Sequence, residues 1–375
     1  MKKQKSNIKV KVAVGMSGGV DSSLAAALLV EQGYDVTGVF LECWRAPGCR
    51  VDEDRKDALE VAMGLGIAYK VLDFKKEYKE RVVEYFYDEY KAGRTPNPDA
   101  MCNREIKFGM FYRWAMGEGF DAIATGHYAR IEKIKMKNEK RKKTTKNSKS
   151  QADFLMMGAD EKKDQSYFLW TLTQKQLTRT LFPVGDMKKS QVRILAKKFD
   201  FETSDKKDSQ GLCFIGKIDI TDFLKNFIKE KAGYVLNEAG QKIGKHNGVF
   251  YYTIGQRHGF KIIDNTNQEK PYFIISKNLK NNTLTVSHNP IKNNSTLGLK
   301  TLLKNVNWIT GSIPDLKKEY SARIRYRQPL EKCHLEKYRK NKLIVNFITT
   351  QKSPTQGQSV VIYDGEICLG GGIIE

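Results

Sequence analysis

The chain lacks the features of membrane, disulfide-rich and zinc-binding proteins. No apolar run among its 375 residues approaches the roughly 18 residues that a membrane span needs. The basic start MKKQKSNIK leads into a short strand rather than into the apolar core and cleavage site of a signal peptide, so we expect a cytoplasmic protein without a membrane partner. The six cysteines form no CxxC pair, which argues against a structural zinc site and a dense disulfide framework.

Two common nucleotide-binding motifs are absent as well, since the sequence contains neither GxxxxGKS/T nor GxGxxG. It contains instead VAVGMSGGVDSSLAAALLV, which is typical of a strand, a glycine-rich turn and a helix. Gly15, Gly18 and Gly19 let the backbone approach an anion, and Ser17 and Ser22 can help the helix start to hold phosphate oxygens. The alternative is a glycine-rich turn that binds no ligand.

The sequence is strongly basic, with a net charge of +22 and a pI of about 9.5. Residues 133–149 contribute +8 of this charge and are typical of a solvated, disordered loop. The remaining +14, of which residues 295–375 carry +6, indicates a polyanionic partner. Nucleic acid is favoured over an acidic membrane surface because no basic amphipathic helix is evident.

The order of apolar segments predicts an α/β protein of three domains. Alternating strands and helices predict a doubly wound parallel sheet over residues 1–217, with the basic run of about 133–151 as an insertion. The pattern of residues 218–294 predicts a small α+β central domain, and that of residues 295–375 predicts a small antiparallel β-barrel. Ligands of parallel sheets bind at the carboxyl ends of strands, so the SGGVDS turn and the turn over 124–128 are expected to share one crevice.

Three further helices are predicted in the first domain. They cover residues 103–118, 162–177 and 190–201. The first follows the turn TPNPD, in which two prolines favour a rigid conformation. Cys102 would then lie just before a helix, where its thiol pKa would be lowered. Asp99 could transfer a proton or cap the helix.

Other polar segments leave their roles open. Cys213 follows a glycine-containing turn in DSQGLCF and is either a mobile reactive thiol or a buried one. His127, after the strand DAIAT, could contact phosphate or be structural. The segments KDQ and RIRYR would ordinarily be solvated, although alternating arginine and tyrosine on a strand suits RNA.

Taken together, these motifs strongly resemble the tRNA-specific 2-thiouridylase family. The matching segments run in order from residue 15 to 375: GMSGGVDSS, AGRTPNPDAMCNREIKF, ATGHYAR, KKDQSYFL, KKDSQGLCFIG, HNGVFYYTIGQRHG, RIRYRQP and GEICLGGGIIE. SGGVDS alone is shared with many PP-loop enzymes, which cleave ATP between its α and β phosphates. The combination of PNPDxxCN with GLCFIG is far more specific.

The resemblance implies that the 2-oxygen of the wobble uridine in certain tRNAs is replaced by sulfur. The carbonyl oxygen would attack the α-phosphorus of ATP, giving an adenylated base and pyrophosphate, with Mg²⁺ neutralising the phosphates. Cys213 would carry the sulfur as a persulfide, Cys102 would be the second, nucleophilic cysteine, and Asp99 would be the acid or base. ATP would be bound by Gly15, Met16, Ser17, Gly18, Gly19, Val20, Asp21, Ser22, Leu41 and Gly126.

The resemblance also assigns contacts with tRNA. Asn97, Pro98 and Asp99 would meet the target base, and the remaining tRNA contacts would come from His127, Lys163, Asp164, Gln165, Arg325, Tyr326 and Gln358. Sulfur would come from a persulfide donor such as a cysteine desulfurase or a sulfur-relay protein. Because the two cysteines are 111 residues apart, we expect the segment around Cys213 to close over the site when tRNA binds.

The lysine-rich run is longer than the loop that is expected at this point in the family. The tRNA contacts of individual residues can therefore differ from those that the resemblance implies. Two rival functions remain. Another PP-loop enzyme, either an RNA sulfurtransferase or an adenylating synthetase, should lack the PNPDxxC turn or carry an extra module. A nonenzymatic RNA-binding protein would use the basic barrel alone.

Overall fold

The structure, a computed structural model, describes residues 9–45, 49–135, 151–207, 220–263, 270–289, 299–339, 341–351 and 354–375. Within these residues no helix is long and apolar enough to cross a membrane. The domain boundaries predicted near 217 and 294 fall outside the described residues and stay predictions.

The N-terminal region alternates strands with helices. In chain order its elements are β1 (Lys11–Met16), α1 (Val20–Glu31), β2 (Asp35–Glu42), α2 (Val51–Gly64), β3 (Ala68–Asp73), α3 (Lys75–Tyr78), a π-helical stretch (Lys79–Val83), α4 (Glu84–Lys91), α5 (Pro98–Cys102), a second π-helical stretch (Asn103–Phe111), α6 (Tyr112–Gly117), β4 (Ala122–Thr125), β5 (Ala129–Lys135), β6 (Gln151–Met157), a 3₁₀ turn (Ser166–Phe168), α7 (Gln174–Leu177), β7 (Thr180–Leu181), α8 (Lys189–Lys198) and a second 3₁₀ turn (Glu202–Asp205).

Five of these strands form the predicted parallel sheet, in the order β3-β2-β1-β4-β7. Its two faces are both buried: Val12 and Val14 belong to one apolar cluster and Ala13 to another, and all three are inaccessible to solvent. This alternation follows from the pleat, which points successive side chains to opposite faces. The doubly wound parallel sheet is therefore confirmed.

Two predicted helices are wrong in extent. The helix after the TPNPD turn starts at Pro98 instead of 103, since α5, the second π-helical stretch and α6 follow one another without a break. Residues 162–177 contain only the 3₁₀ turn and α7. Their apolar side chains, including Tyr167 and Trp170, are buried by packing against other parts of the fold, which overrides the helical spacing.

The strands β5 and β6 form a hairpin that the sequence analysis missed. They pair in antiparallel register from Ala129↔Met157 to Lys135↔Gln151. β6 also pairs with the strand β18 (Ile367–Ile374) through Met156 and Leu155. Residues 133–135 are thus strand, not loop as predicted, and the predicted insertion over 136–150 lies outside the described residues.

The central region is a small α+β unit. Its elements are α9 (Ile220–Lys225), β8 (Gly233–Leu236), β9 (Lys242–His246), a 3₁₀ turn (Val249–Tyr251), β10 (Lys261–Ile262), β11 (Phe273–Asn278) and β12 (Thr283–Ser287). The strands form one sheet in the order β10-β9-β8-β12-β11. The apolar segment GVFYYTIG contains the 3₁₀ turn and not a strand.

The C-terminal region is the predicted antiparallel barrel. It contains β13 (Lys300–Trp308), β14 (Glu319–Arg323), β15 (Glu331–Arg339), β16 (Lys342–Phe347), β17 (Ser359–Asp364) and β18. The order β13-β16-β15-β14-β17-β18 closes through pairing of β13 with β18. Closure leaves no free edge among these six strands, and the β5–β6 hairpin extends β18 beyond the barrel.

Candidate active site

The turn between β1 and α1 is shaped to approach an anion with its backbone. Gly18 has a φ of +67°, and a Cβ there would lie 2.2 Å from the carbonyl oxygen of Asp54, so only glycine fits. The Ser22 hydroxyl accepts the Ser17 N–H at 3.1 Å and donates to the Gly19 carbonyl at 3.0 Å. Gly19 caps α1 without a side chain, so an anion can approach the helix start closely.

A charged cluster lies beside this helix start. Asp21, in the first turn of α1, accepts hydrogen bonds from the Lys189 ammonium at 2.7 and 2.8 Å and from the Tyr128 hydroxyl at 2.7 Å. The Lys189 side chain is mostly buried. These bonds join α1 to α8 and to the turn after β4. The sequence motif indicates Asp21 but not Lys189, because nothing in the pattern of α8 indicates which sheet edge it meets.

The two turns that were expected to share a crevice do lie together. β1 and β4 are parallel neighbours, with Gly15 paired to Thr125. A Cβ on Gly126 would lie 2.6 Å from the Asp21 carbonyl carbon, so glycine permits this close contact. Leu41 is buried near the end of β2, the other neighbour of β1. The structure therefore brings the residues assigned to ATP to one edge of the sheet.

His127 is buried beside this crevice. Its Nδ1 is 2.7 Å from the Thr125 hydroxyl, and its Nε2 is 3.5 Å from the Lys107 ammonium. The ring packs against Phe108 and Phe182. Burial, with a smaller effect of the Lys107 charge, holds the His127 pKa well below its usual value, so the ring is neutral at pH 7. Its assigned contact with tRNA stays a prediction.

Lys206 connects the phosphate-binding turn to α2. Its ammonium donates to the Gly18 carbonyl at 2.9 Å and to Asp54 at 2.7 Å, and it also contacts the Asp57 carboxylate. Arg193 of α8 in turn binds the carbonyl oxygen of Lys206 at 3.0 Å. Lys206 stands at the start of the motif KKDSQGLCFIG but was not predicted as a site residue.

The proline-rich turn places its polar residues at a helix start. Asn97, not Asp99, caps this helix, because its side-chain oxygen accepts the Ala100 N–H at 3.2 Å. Pro98 occupies the first helical position, where its missing N–H costs no hydrogen bond. Asp99 lies in the first turn, and Cys102 ends α5 with 0% exposure. Cys102 is therefore inside the helix and buried, not ahead of the helix as predicted.

All three regions of the fold hold this turn in place. The Gln358 amide of the barrel donates to the carbonyl oxygens of Thr95 and Pro96, both at 3.0 Å. The Thr95 hydroxyl lies 3.0 Å from the Thr253 hydroxyl of the central region. A Cβ on Gly357 would meet the Thr95 backbone at 2.9 Å. The turn is thus fixed relative to the barrel and to the central sheet.

The KDQ segment docks into the barrel and the sheet. Asp164 is buried, accepts the N–H groups of Gly158 and Ser166 at 3.0 Å, and lies 3.4 Å from the equally buried Arg323. The side chain of Gln165 accepts the Tyr128 N–H at 2.9 Å. Both side chains therefore have structural partners within the fold, and their assigned contacts with tRNA stay predictions.

The other residues that were assigned to contact tRNA are more exposed to solvent than Asp164. Arg325 is exposed and donates to the Thr355 hydroxyl at 3.2 Å. Tyr326 packs against Phe168, with ring centroids 4.5 Å apart. Lys163 is half-buried next to Asp164. Arg325 and Tyr326 follow β14 directly, on the same chain segment that brings Arg323 to Asp164.

Cys213 lies outside the described residues, which stop at 207 and resume at 220. Among the residues that are described, no group of three or more histidine, cysteine, aspartate or glutamate side chains is arranged to hold a metal ion.

Three family models match consecutive parts of the chain. They describe a tRNA methyl transferase HUP domain over residues 10–217, a tRNA methyl transferase PRC-barrel domain over residues 221–288 and an aminomethyltransferase beta-barrel domain over residues 299–374. The first model alone spans more than half of the chain.

Full-length relatives are also found. The tRNA-specific 2-thiouridylase MnmA of Hydrogenovibrio crunogenus is 43% identical over 376 residues, covering 98% of this chain and 94% of that protein. The MnmA of Bacillus cytotoxicus is 42% identical over 371 residues, covering 98% and 95%. Among solved structures, a 4-thiouridine synthetase–RNA complex with bound ATP aligns at 18% identity with a TM-score of 0.36, covering 58% of this chain and 50% of that chain.

Proposed function

Because the chain belongs to the tRNA-specific 2-thiouridylase family, we propose that it uses ATP to replace the 2-oxygen of the wobble uridine in tRNA with sulfur. One observation carries the proposal. The continuous helix that begins at Pro98 and contains Asp99 and Cys102 packs through Phe111 against Gly15, where a Cβ would lie 3.4 Å from the Phe111 ring. The turn specific to the family and the phosphate-binding turn thus belong to one packed unit.

The first step activates the base. The uridine 2-oxygen attacks the α-phosphorus of ATP. The bond between the α-phosphorus and the oxygen that bridges it to the β-phosphate breaks, and pyrophosphate leaves. This step converts a poor leaving group, a carbonyl oxygen, into AMP, which is a good one. Asp99, which lies in the first turn after the Asn97 cap, is proposed to move the proton that the uridine ring must lose or regain, as the family resemblance implies.

Nucleotide binding is proposed for the turn from Gly15 to Ser22 together with Leu41 and Gly126. The support is the positive φ of Gly18, the helix start at Gly19 and the close approach of Gly126 to Asp21. Mg²⁺ would supply charge neutralisation for the phosphates. Since the described residues hold no carboxylate cluster suited to a metal, phosphate oxygens and water would provide most of its ligands, and Asp21 is the carboxylate within the turn itself.

The second step transfers sulfur. The terminal sulfur of a Cys213 persulfide attacks C2 of the adenylated base, and AMP leaves with the former 2-oxygen. If the Cys102 thiolate then attacks the inner sulfur, a Cys102–Cys213 disulfide forms, the sulfur stays on the base, and a two-electron thiol reductant restores both cysteines. In the alternative order, the Cys102 thiolate first attacks the inner sulfur of the persulfide, which forms the same disulfide and releases hydrosulfide. Hydrosulfide then attacks C2, and AMP leaves.

The partners follow from this chemistry. The tRNA substrate would meet the Asn97–Pro98–Asp99 turn and the assigned residues His127, Lys163, Asp164, Gln165, Arg325, Tyr326 and Gln358. The basic charge supports binding to an RNA backbone. A cysteine desulfurase or sulfur-relay protein would load Cys213, and a cytoplasmic location would keep its thiol reduced between cycles.

Mass spectrometry of tRNA nucleosides tests the proposal. The full chain would be incubated with unmodified tRNA, ATP, Mg²⁺ and a persulfide donor, and the tRNA digested to nucleosides. We expect 2-thiouridine at the wobble position, with none when ATP is omitted. Formation of 4-thiouridine would favour a different RNA sulfurtransferase, and absence of any thionucleoside would favour a nonenzymatic RNA-binding protein.

A further inference from the structure

Lys206 makes an unusual set of contacts for a residue outside the nucleotide motif. Its side chain is only 14% exposed and reaches the Gly18 carbonyl as well as the carboxylates of Asp54 and Asp57. The ammonium has three N–H donors, and these three acceptors can use all of them. The lysine thus joins the phosphate-binding turn to the first half of α2.

The backbone of Lys206 is itself held firmly. Its N–H donates to the Thr203 carbonyl at 3.1 Å, and Arg193 donates to the carbonyls of Ser204 and Lys206 at 2.7 and 3.0 Å. The Thr203 hydroxyl is 3.4 Å from the Ser23 hydroxyl of α1. The ammonium is therefore presented to Gly18 from a segment that is anchored on α8 and α1.

The contact with Gly18 has a direct consequence for the next amide. In a planar trans peptide, the C=O of one residue and the N–H of the next point in opposite directions. Fixing the Gly18 oxygen toward Lys206 therefore fixes the Gly19 N–H on the other side of that peptide. Gly18 has a positive φ and no side chain, so no side chain of its own limits rotation of this peptide.

We propose that Lys206 is a positioning residue for the phosphate-binding turn. It holds the Gly18–Gly19 peptide so that the Gly19 N–H is available to a phosphate oxygen of ATP, and it offsets the charge of Asp54 and Asp57 beside that site. It does this without contacting the reacting atoms. The inference rests on the proposed function, because ATP is the ligand of the turn.

Direct binding of α,β-methylene-ATP, which cannot be cleaved between the α and β phosphates, tests this role in the full chain with Mg²⁺ and without tRNA. Loss of a hydrogen bond to a charged group predicts that Lys206→Met weakens binding by about 10- to 100-fold. The matched control is Lys197→Met, which removes a 2.9 Å ion pair with Asp205 whose side chains are 57% and 77% exposed. It should leave binding unchanged.

A charge-balanced series covers the case in which Lys206→Met fails to fold with two unpaired carboxylates. The double variant Asp54→Asn/Asp57→Asn keeps Lys206 but removes the two negative charges that it pairs with. The triple variant adds Lys206→Met, so it removes the lysine without leaving an unpaired carboxylate. We expect the double variant to bind the analogue at least as tightly as the wild type, and the triple variant to bind at least tenfold more weakly than the double. Equal binding by the double and triple variants would overturn the proposal.

Thermal unfolding separates positioning from a merely structural role. A positioning role predicts that the triple variant loses most of the rise in Tm that the analogue gives to the double variant. An unchanged rise would contradict it. If the binding series behaves as expected while the wild type makes no 2-thiouridine, the proposed reaction fails and the role of Lys206 stands.

Discussion

The side-chain amide of Gln358 donates a 3.0 Å hydrogen bond to the carbonyl oxygen of Thr95, 263 residues earlier in the chain. The same amide donates to the Pro96 carbonyl. The barrel thereby holds the turn that leads into Asn97 and Asp99. This contact gives Gln358 a role inside the protein, beside the contact with tRNA that the resemblance assigns to it.

Gln358→Ala should therefore lower the rate of the reaction more than the affinity for tRNA. Loss of both bonds removes two of the contacts that hold the turn, and small misplacements of catalytic groups cost about 10- to 100-fold in rate. Single-turnover rates at saturating tRNA, together with separately measured tRNA dissociation constants, distinguish the two effects. Arg325→Ala is the contrasting variant and should weaken tRNA binding with a smaller effect on the rate. If Gln358→Ala changes only the dissociation constant, its main role is tRNA contact.

Asp21→Ala should abolish AMP production on substrate tRNA. The carboxylate is held by Lys189 and Tyr128 at the start of α1, so its removal alters the site where phosphates are proposed to bind. Lys189→Met should raise the KM for ATP by about tenfold, because it removes a cation next to that site and leaves Asp21 without its charge partner. AMP release measured by chromatography checks both variants. AMP formation at the wild-type rate by Asp21→Ala would contradict the assignment.

Cys102→Ser and Cys213→Ser should each abolish 2-thiouridine formation while tRNA binding survives. Both thiols are proposed to form or break a sulfur–sulfur bond, which a hydroxyl cannot do. Cys333→Ala is a suitable control, since burial raises the pKa of the Cys333 thiol in β15 to about 12 and keeps it protonated at neutral pH. Nucleoside mass spectrometry and filter binding provide the two readouts. Full activity in either serine variant would rule out the two-cysteine reaction.

Folding stability should fall as the pH is lowered from 7.5 to 5.5. Burial lowers the pKa values of His127 and His246, so between the folded and unfolded pKa values the unfolded chain binds protons that the folded chain does not. The contribution of each neutral histidine to the free energy of unfolding is fully present above its pKa in the unfolded chain. Below that pKa the contribution falls by up to about 1.4 kcal/mol per pH unit for each histidine.

His127→Asn should make this pH dependence shallower, because only His246 then contributes. Denaturant unfolding at several pH values measures the slope, and the range above pH 5.5 avoids most carboxylate titration. An unchanged slope in the variant would show that His127 is not the titrating group.

Much of the fold follows from local sequence patterns. The alternation of strands and helices in the first domain is as predicted, and α8 lies close to the helix predicted over 190–201, since apolar periodicity and glycine turns define these elements. The two-residue strand β7 was missed because it is too short to show a pattern. The hairpin of β5 and β6 was missed because its lysine residues resemble a solvated loop, and only pairing with β18 makes it part of a sheet.

The site could be predicted only as far as its motifs extend. The turn from Gly15 to Ser22 and the TPNPD turn were found from composition and spacing. Lys189 and Lys206 were not, because Asp21 and Gly18, which they contact, are 168 and 188 residues away in sequence. The burial of Cys102 was also missed, since it depends on where the helix packs and not on the residues around it.

The central claim is that the 2-oxygen of uridine attacks the α-phosphorus of ATP before sulfur arrives. A substrate RNA carrying oxygen-18 at C2 of the wobble uridine tests this claim directly. After a single turnover with ATP, Mg²⁺ and a persulfide donor, mass spectrometry of the released nucleotide should find AMP with one oxygen-18 atom for each 2-thiouridine formed. Unlabelled AMP, or ADP as the product, would contradict the account.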